Sequence, residues 1–289
     1  PSYDFLRKHL RLEPMRFVGI FAVSFLLLAP GLSLSAEWVQ ESPGQKAYYN
    51  GRGQLEKLEI DADKDGRFEA EEHYRNQRRV ERREDLNGDG HWEREYRWHQ
   101  NGSAELTEQG RKGKLQKTFY GVDGAVERIE KDSDRDGTFE SSWEYNAGVL
   151  QRVTKPRGVW HYNKKGKLRR AELDEDRNGR TEKVEYYQGV NRLAKVEELA
   201  ANGKVRSTWH YDANGKLQRA EEDTDGDGRL DCQRQYHANG TMEQTIDADE
   251  NGVPEIRELF NDAGNLISRE EDLDGDGVYD LRTGKLSKH

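Results

Sequence analysis

Ten aromatic residues divide most of the chain into short units: Tyr49, Tyr74, Trp98, Tyr120, Tyr145, Tyr162, Tyr187, Tyr211, Tyr236 and Phe260. Their spacings run from 22 to 25 residues, with one short step of 17. A period of about 24 residues means that one small supersecondary unit is reused, each copy burying its apolar side against the next. After most of these aromatics comes a turn ending in glycine, as in YNGRG, WHQNG, YGVDG, YNKKG, YDANG, YHANG and FNDAG. Asn and Gly tolerate positive φ, so each of these is a tight reversal.

Two residues beyond the glycine an apolar side chain usually follows: Leu55, Leu115, Val126, Leu150, Leu168, Leu217, Met242 and Leu266. A short strand is expected to begin at each. Further on, Phe68, Ala70 and Tyr74, or Trp92, Tyr96 and Trp98, or Phe139, Trp143 and Tyr145, alternate with mostly charged residues. A period of two with one apolar face belongs to a half-exposed antiparallel sheet. The segments FEAEEHYRNQRRVERRED and NRLAKVEELAANGK contain good helix formers, so propensity alone reads them as helices. A helix–loop–helix unit whose loop takes about 12 residues does not fit the repeat, so strands are preferred. The fold class expected is all-β, an elongated repeat array of antiparallel β-hairpins forming a single repeat domain over residues 37–289.

Composition explains why ordinary packing cannot hold such a chain. Of 289 residues only 33% are hydrophobic while 36% are charged, so a deep core is excluded. Residues 15–36, MRFVGIFAVSFLLLAPGLSLSA, read as a signal peptide: Arg16, an apolar run from Phe17 to Leu28, a Pro30–Gly31 break, then small residues. The alternative is a retained anchor, but the uninterrupted run is shorter than the ~20 residues a span needs. Export to the periplasm or medium is expected, without stable membrane insertion once the signal is removed. Residues 1–14 precede Met15 and are expected to be a non-native upstream segment. The single cysteine, Cys232, rules out an internal disulfide framework.

Between the strands lies an acidic pattern, D-x-[DN]-x-[DN]-G-x-x-[DE], seven times over. The candidate metal ligands are Asp61, Asp63, Asp65 and Glu69; Asp85, Asn87, Asp89 and Glu93; Asp132, Asp134, Asp136 and Glu140; and Asp174, Asp176, Asn178 and Glu182. To these are added Asp223, Asp225, Asp227 and Asp231; Asp247, Asp249, Asn251 and Glu255; and Asp272, Asp274, Asp276 and Asp280. A hard cation such as Ca²⁺ takes six to eight oxygens at about 2.3–2.6 Å, and alternate side chains of a tightly curled segment converge on one point. The glycine at position six permits the curl, and position seven offers its carbonyl. Asp and Gly are common in plain turns, but plain turns do not require an acid at position nine in all seven copies.

These loops resemble the first nine positions of an EF-hand. The acid at position nine and the strand-like flanks are closer to the calcium-binding hairpin loops of integrin-type FG-GAP repeats. The EF-hand's Glu at position twelve is present only as Glu72, Glu185 and Glu258, with Tyr96, Trp143 and Arg234 standing there in other loops, which disfavours true EF-hands. The turns YDANGKLQRAEE and YNKKGKLRRAEL are similar to the tyrosine–aspartate (YD) repeats of bacterial Rhs-type wall and shell proteins. That resemblance implies stacked antiparallel hairpins and no catalytic residues. In three repeats the acidic loop is replaced by a plain turn, at Glu108-Gln109-Gly110, Pro156-Arg157-Gly158 and Asn202-Gly203.

Without residues 1–36 the chain keeps 43 of its 47 basic and 54 of its 56 acidic residues, a net charge of −11. Nucleic acid is therefore not an expected partner. Setting aside the 25 acidic candidate ligands leaves a scaffold at +14. No G-x-S-x-G, P-loop, H-E-x-x-H or C-x-x-C is present, so no enzyme activity is expected. The expectation is an exported calcium-binding repeat protein, structural or adhesive, whose partner is another protein or a cell-surface polymer. The alternatives are a calcium buffer or sensor with EF-hand-like sites, and an Rhs-like toxin shell fragment.

Overall fold

The computed structural model describes residues 37–110 and 113–284. The expected signal peptide and upstream segment lie outside the described residues. The regular structure is all β, built from strands that pair antiparallel with their sequence neighbours, and two compact units divide at Gly148. Among the described residues no helix is long and apolar enough to cross a membrane.

The first unit carries β1 (Trp38–Ser42), β2 (Gln45–Tyr49), β3 (Leu55–Ile60), β4 (Ala70–Arg75), β5 (Arg78–Glu84), β6 (Arg94–Trp98), β7 (Ala104–Gln109), β8 (Leu115–Tyr120), β9 (Val126–Asp132) and β10 (Ser141–Asn146). The second carries β11 (Val149–Lys155), β12 (Gly158–Tyr162), β13 (Leu168–Leu173), β14 (Lys183–Gln188), β15 (Arg192–Leu199), β16 (Val205–Tyr211), β17 (Leu217–Glu222), β18 (Cys232–Tyr236), β19 (Met242–Ile246), β20 (Ile256–Phe260), β21 (Leu266–Glu271) and β22 (Leu281–Gly284). Every repeat aromatic is the last or, at Tyr74, Tyr145 and Tyr187, the penultimate residue of an even-numbered strand, and Leu55, Leu115, Val126, Leu168, Leu217, Met242 and Leu266 each open a strand, as their place after the glycine predicts. Both segments rich in helix formers are strands.

The glycine turns close by a shared device. Asn50, Asn163, Asp212 and Asn261 each accept, through Oδ1, the amides two and four residues on, at 2.8–3.0 Å. The side chain thus satisfies the turn's free donors, and the following glycine takes the positive φ. At Tyr49, Tyr74, Tyr120, Tyr162, Tyr187, Tyr211 and Phe260 the pairing register shifts, so the repeat aromatic marks a bulge beside the turn.

Two kinds of row cross each sheet. In the second unit Val153, Trp160, Ala171, Glu185, Val196, Trp209 and Ala220 stand opposite one another on successive strands. Trp faces Ala twice, so a large ring is accommodated by a small neighbour; Ala171 is wholly buried. The opposite face is charged and recurs between units. Tyr48 donates to Glu59 at 2.7 Å while Lys57 lies over the Tyr48 ring, and Tyr186, Glu197 and Lys195 repeat the arrangement. Cross-strand pairs of this kind each contribute roughly 0.2–1 kcal/mol, which makes stability a sum of many small terms over a thin apolar face.

Candidate metal centres

In a sheet whose strands run up and down in order, every connection from an odd to an even strand falls on one edge. All seven acidic loops are such connections. In the first unit they join β3 to β4, β5 to β6 and β9 to β10; in the second, β13 to β14, β17 to β18, β19 to β20 and β21 to β22. The acidic residues therefore line a single edge of each unit, and the glycine turns line the other.

Each loop is folded by its own carboxylates. The Asp at position one accepts the position-six glycine amide in all seven: Gly66 to Asp61 at 3.0 Å, Gly90 to Asp85 at 2.8 Å, Gly137 to Asp132 at 3.1 Å, Gly179 to Asp174 at 2.9 Å, Gly228 to Asp223 at 2.9 Å, Gly252 to Asp247 at 2.9 Å and Gly277 to Asp272 at 2.8 Å. Position three accepts from the amide of position five, and position five from that of position seven, again in every copy. The acid at position nine accepts the position-two amide, as Glu69 does from Ala62 at 2.7 Å and Asp280 from Leu273 at 2.9 Å. This is why position nine is always Asp or Glu: it closes the loop onto the strand that opened it.

A feature unmarked in the sequence pattern is position four. Lys64, Gly88, Arg135, Arg177, Gly226, Glu250 and Gly275 all adopt positive φ, four of them without being glycine. Glycine marks it in three loops, but only the recurrence of one backbone shape shows that Lys64, Arg135, Arg177 and Glu250 share it.

The resulting clusters are tight. One ligand oxygen from each of Asp61, Asp63, Asp65 and Glu69 lies within 4.8 Å of the others, and the same holds for Asp132, Asp134, Asp136 and Glu140. Asp85, Asp89 and Glu93 form a third group, Asp174, Asp176 and Glu182 a fourth, and Asp223, Asp225 and Asp227 a fifth. Asn87 and Asn178 sit in their loops as amide donors to a neighbouring acid, Asn87 to Glu93 at 2.8 Å and Asn178 to Asp176 at 2.8 Å. Asp231 does not join its group: it takes the amide of Thr224 at 2.9 Å and the Thr224 hydroxyl at 2.5 Å. Its shorter side chain holds it against the loop entrance. Asp247, Asp249, Asn251 and Glu255 and Asp272, Asp274, Asp276 and Asp280 share the loop network.

Burial sharpens the case at position one, where Asp61, Asp85, Asp132 and Asp272 are buried and the Asp247 Oδ1 atom is buried without a hydrogen-bond partner. Asp132 is 1% exposed and Asp61 8% exposed, and the Asp61 Oδ1 atom is buried without a hydrogen-bond partner. An orphaned buried carboxylate oxygen is costly and needs a counter-charge. Desolvation pushes the Asp85 carboxyl up, but the amides of Gly90, Gly88 and Asn87 outweigh it and hold its pKa below the ordinary range. The Asp136 amide pulls Asp134 down, yet its hydrogen bond with Glu140 and repulsion from Asp136 and Glu140 carry it above that range. Glu140 is held low by the Ser133 amide. The donor set is oxygen throughout, which suits a hard divalent cation.

The position-twelve acids stay in their strands. Glu72 is tied to Arg79 and Arg82 at 2.6 Å each, and Glu258 to Arg269 at 2.7 Å. The clusters are thus not completed in the EF-hand manner.

No protein-family model matches the chain, and no curated protein matches it. Among solved structures it is similar to the GtfA/B complex bound to UDP and GlcNAc (15% identity over 43% of this chain and 23% of that one, TM-score 0.21). It is also similar to TcdB2-TccC3-Cdc42 (11% identity, 82% and 17%, TM-score 0.19) and to the Photorhabdus luminescens Tc holotoxin pore (13% identity, 79% and 15%, TM-score 0.19). The chain spans less than a quarter of the length of each. At these scores the similarities assign neither family nor function.

Proposed function

We propose that this is an exported calcium-binding repeat protein whose ions fasten its hairpins, and that its role is structural or adhesive. The observation that carries the reading is the first loop, where the buried, unpartnered Asp61 Oδ1 belongs to a group of four carboxylates within 4.8 Å of one another. The same backbone network in six further loops supports extending the reading to all of them. Positions one, three, five and nine would hold the ion together with the position-seven carbonyl; when bound, Ca²⁺ supplies the positive charge that offsets the crowded carboxylates. Repulsion between neighbouring carboxylates costs on the order of 1 kcal/mol per pair even in high dielectric. A thin apolar face leaves ion binding to appear largely as folding energy.

Calcium is preferred over transition metals because the five clusters described above are built from carboxylates, and over Mg²⁺ because the curled loops offer several carboxylates rather than one or two. Export fits, since calcium is plentiful outside the cytosol and modules for that setting bind at about 10⁻⁴–10⁻³ M. Counting bound metal by elemental analysis after equilibration in millimolar calcium tests the reading. Several calcium ions per chain are expected, and a Asp61→Asn, Asp63→Asn variant should retain one fewer. A chain with no bound calcium under these conditions would end the proposal.

A further inference from the structure

One odd-to-even connection of the second unit reverses the chemistry of its neighbours. At the junction of β11 and β12 the chain carries Lys155, the last residue of β11, then Pro156 and Arg157, where the acidic loops carry carboxylates. These residues, with Trp160, Leu173 and Arg177, line an open cleft of about 490 Å³. That volume falls within the range of small-ligand sites, roughly 300–1,000 Å³.

The charges in the cleft are unspent. Among the described residues neither Lys155, Arg157 nor Arg177 has a carboxylate within ion-pair distance, although this chain pairs its cations densely elsewhere. One acid, Glu175, also lines the cleft, and its carboxylate is engaged by Lys183 at 2.7 Å. Lys155 instead places its ammonium 5.7 Å from the centre of the half-buried Trp160 ring. Strand pairing sets Trp160 between Val153 and Ala171, so its ring stands on the apolar row of this face. Arg177 occupies position four of the β13–β14 loop with φ of 64°, which anchors its backbone beside the cleft.

We propose that this cleft binds an acidic sugar: a pyranose ring carrying a carboxylate. Two guanidinium groups and an ammonium match a carboxylate, which Arg recognises through paired N–H donors. The indole, Pro156 and Leu173 match the apolar C–H face of a pyranose ring, a surface that aromatic side chains cover at low entropic cost. A bare inorganic anion would use the cations and leave the apolar wall without a role. The openness of the cleft to solvent admits either a free acid sugar or one unit of a polymer.

The test is calorimetric titration of the whole chain, in one buffer of fixed calcium concentration, with galacturonic acid, trigalacturonate, methyl-esterified trigalacturonate and inorganic phosphate. Trigalacturonate should bind, the ester should bind at least tenfold more weakly, and Lys155→Gln, Arg157→Gln should weaken trigalacturonate at least tenfold. Both substitutions lie at the exposed strand junction; an unchanged circular dichroism spectrum verifies that the fold is retained. Trp160→Ala should weaken binding as well, and Trp160→Phe should restore part of it. Binding of the monomer within tenfold of the trimer assigns a free sugar; binding of the trimer alone assigns a polymer, and either supports the cleft. The proposal is overturned by no binding of either uronate, by equal binding of the ester, by unchanged affinity in the double variant, or by phosphate binding as tightly as the uronates.

Discussion

The Arg67 guanidinium, at position seven of the first acidic loop, donates to the Gly88 carbonyl, at position four of the second, at 3.4 Å. In the second unit Arg229 reaches Glu250 in the same relation, from position seven of one loop to position four of the next. At Arg67 and Arg229 the position-seven side chain thus lies across the next loop along the edge.

Neighbouring loops linked in this way should fill together. Arg229→Ala is expected to lower the apparent cooperativity of calcium binding, by a small amount because the pair is exposed and screened. Calorimetric calcium titrations of the two proteins check it; identical isotherms would show that the loops load independently.

Positions four and six of the loops share positive φ but differ in tolerance. Nothing lies within 4 Å of a Cβ placed on Gly66, so Gly66→Ala acts through backbone strain alone and should cost about 1–2 kcal/mol. Arg135→Gly removes the same strain from a residue held at φ of 71° and should cost nothing measurable, the greater freedom of glycine offsetting the gain. Denaturant midpoints compare the two, and equal losses would refute the assignment of strain.

The tight centre of the second unit predicts a steric effect. Ala171 is wholly buried between Trp160 and Glu185, so Ala171→Leu should destabilise by about 1–3 kcal/mol through overpacking. Thermal melting reads it; an unchanged midpoint would mean that the two faces of this row are not packed as described.

Acid should weaken the first unit through Glu72. Desolvation raises its pKa, but hydrogen bonds and attraction from Tyr74, Arg79 and Arg82 outweigh it and hold the folded-state value below the ordinary one. A depressed carboxylate contributes stability that is present above its unfolded pKa of about 4.3 and lost as pH falls through the folded value. Glu72→Gln should therefore cost about 2 kcal/mol at pH 7 and flatten the loss of stability below pH ~4.3. Unfolding curves between neutral and acidic pH measure both, and a variant with the parent's acid profile would count against Glu72 as the titrating group.

The hairpins were legible because their signals are local. Glycine turns, the apolar residue two positions later and period-two alternation each act within one unit, and Leu55, Leu168 and Leu217 open their strands where that rule puts them. The acid-free junctions were placed a little differently: Glu108 and Gln109 belong to β7 and Gly158 to β12, so the reversals are tighter at Pro156–Arg157 and later at Gly110. What escaped the sequence depends on relations between units. The edge shared by the acidic loops follows from strand parity, the reach of Arg67 and Arg229 from the spacing of alternate connections, and the withdrawal of Asp231 from the length of one side chain against Thr224. The bulges at Tyr74 and Tyr187 likewise need the pairing register, which no single strand encodes.

On the proposed function, cations at the carboxylate clusters hold the hairpin junctions together. Thermal unfolding followed by far-ultraviolet circular dichroism, in millimolar calcium and again in excess chelator, addresses it most directly. A site filled at a hundredfold excess over its Kd adds about 2.7 kcal/mol, and several such sites should raise Tm by many degrees while ordering the β signal. The same spectrum and the same Tm in chelator would show that the junctions hold without cations.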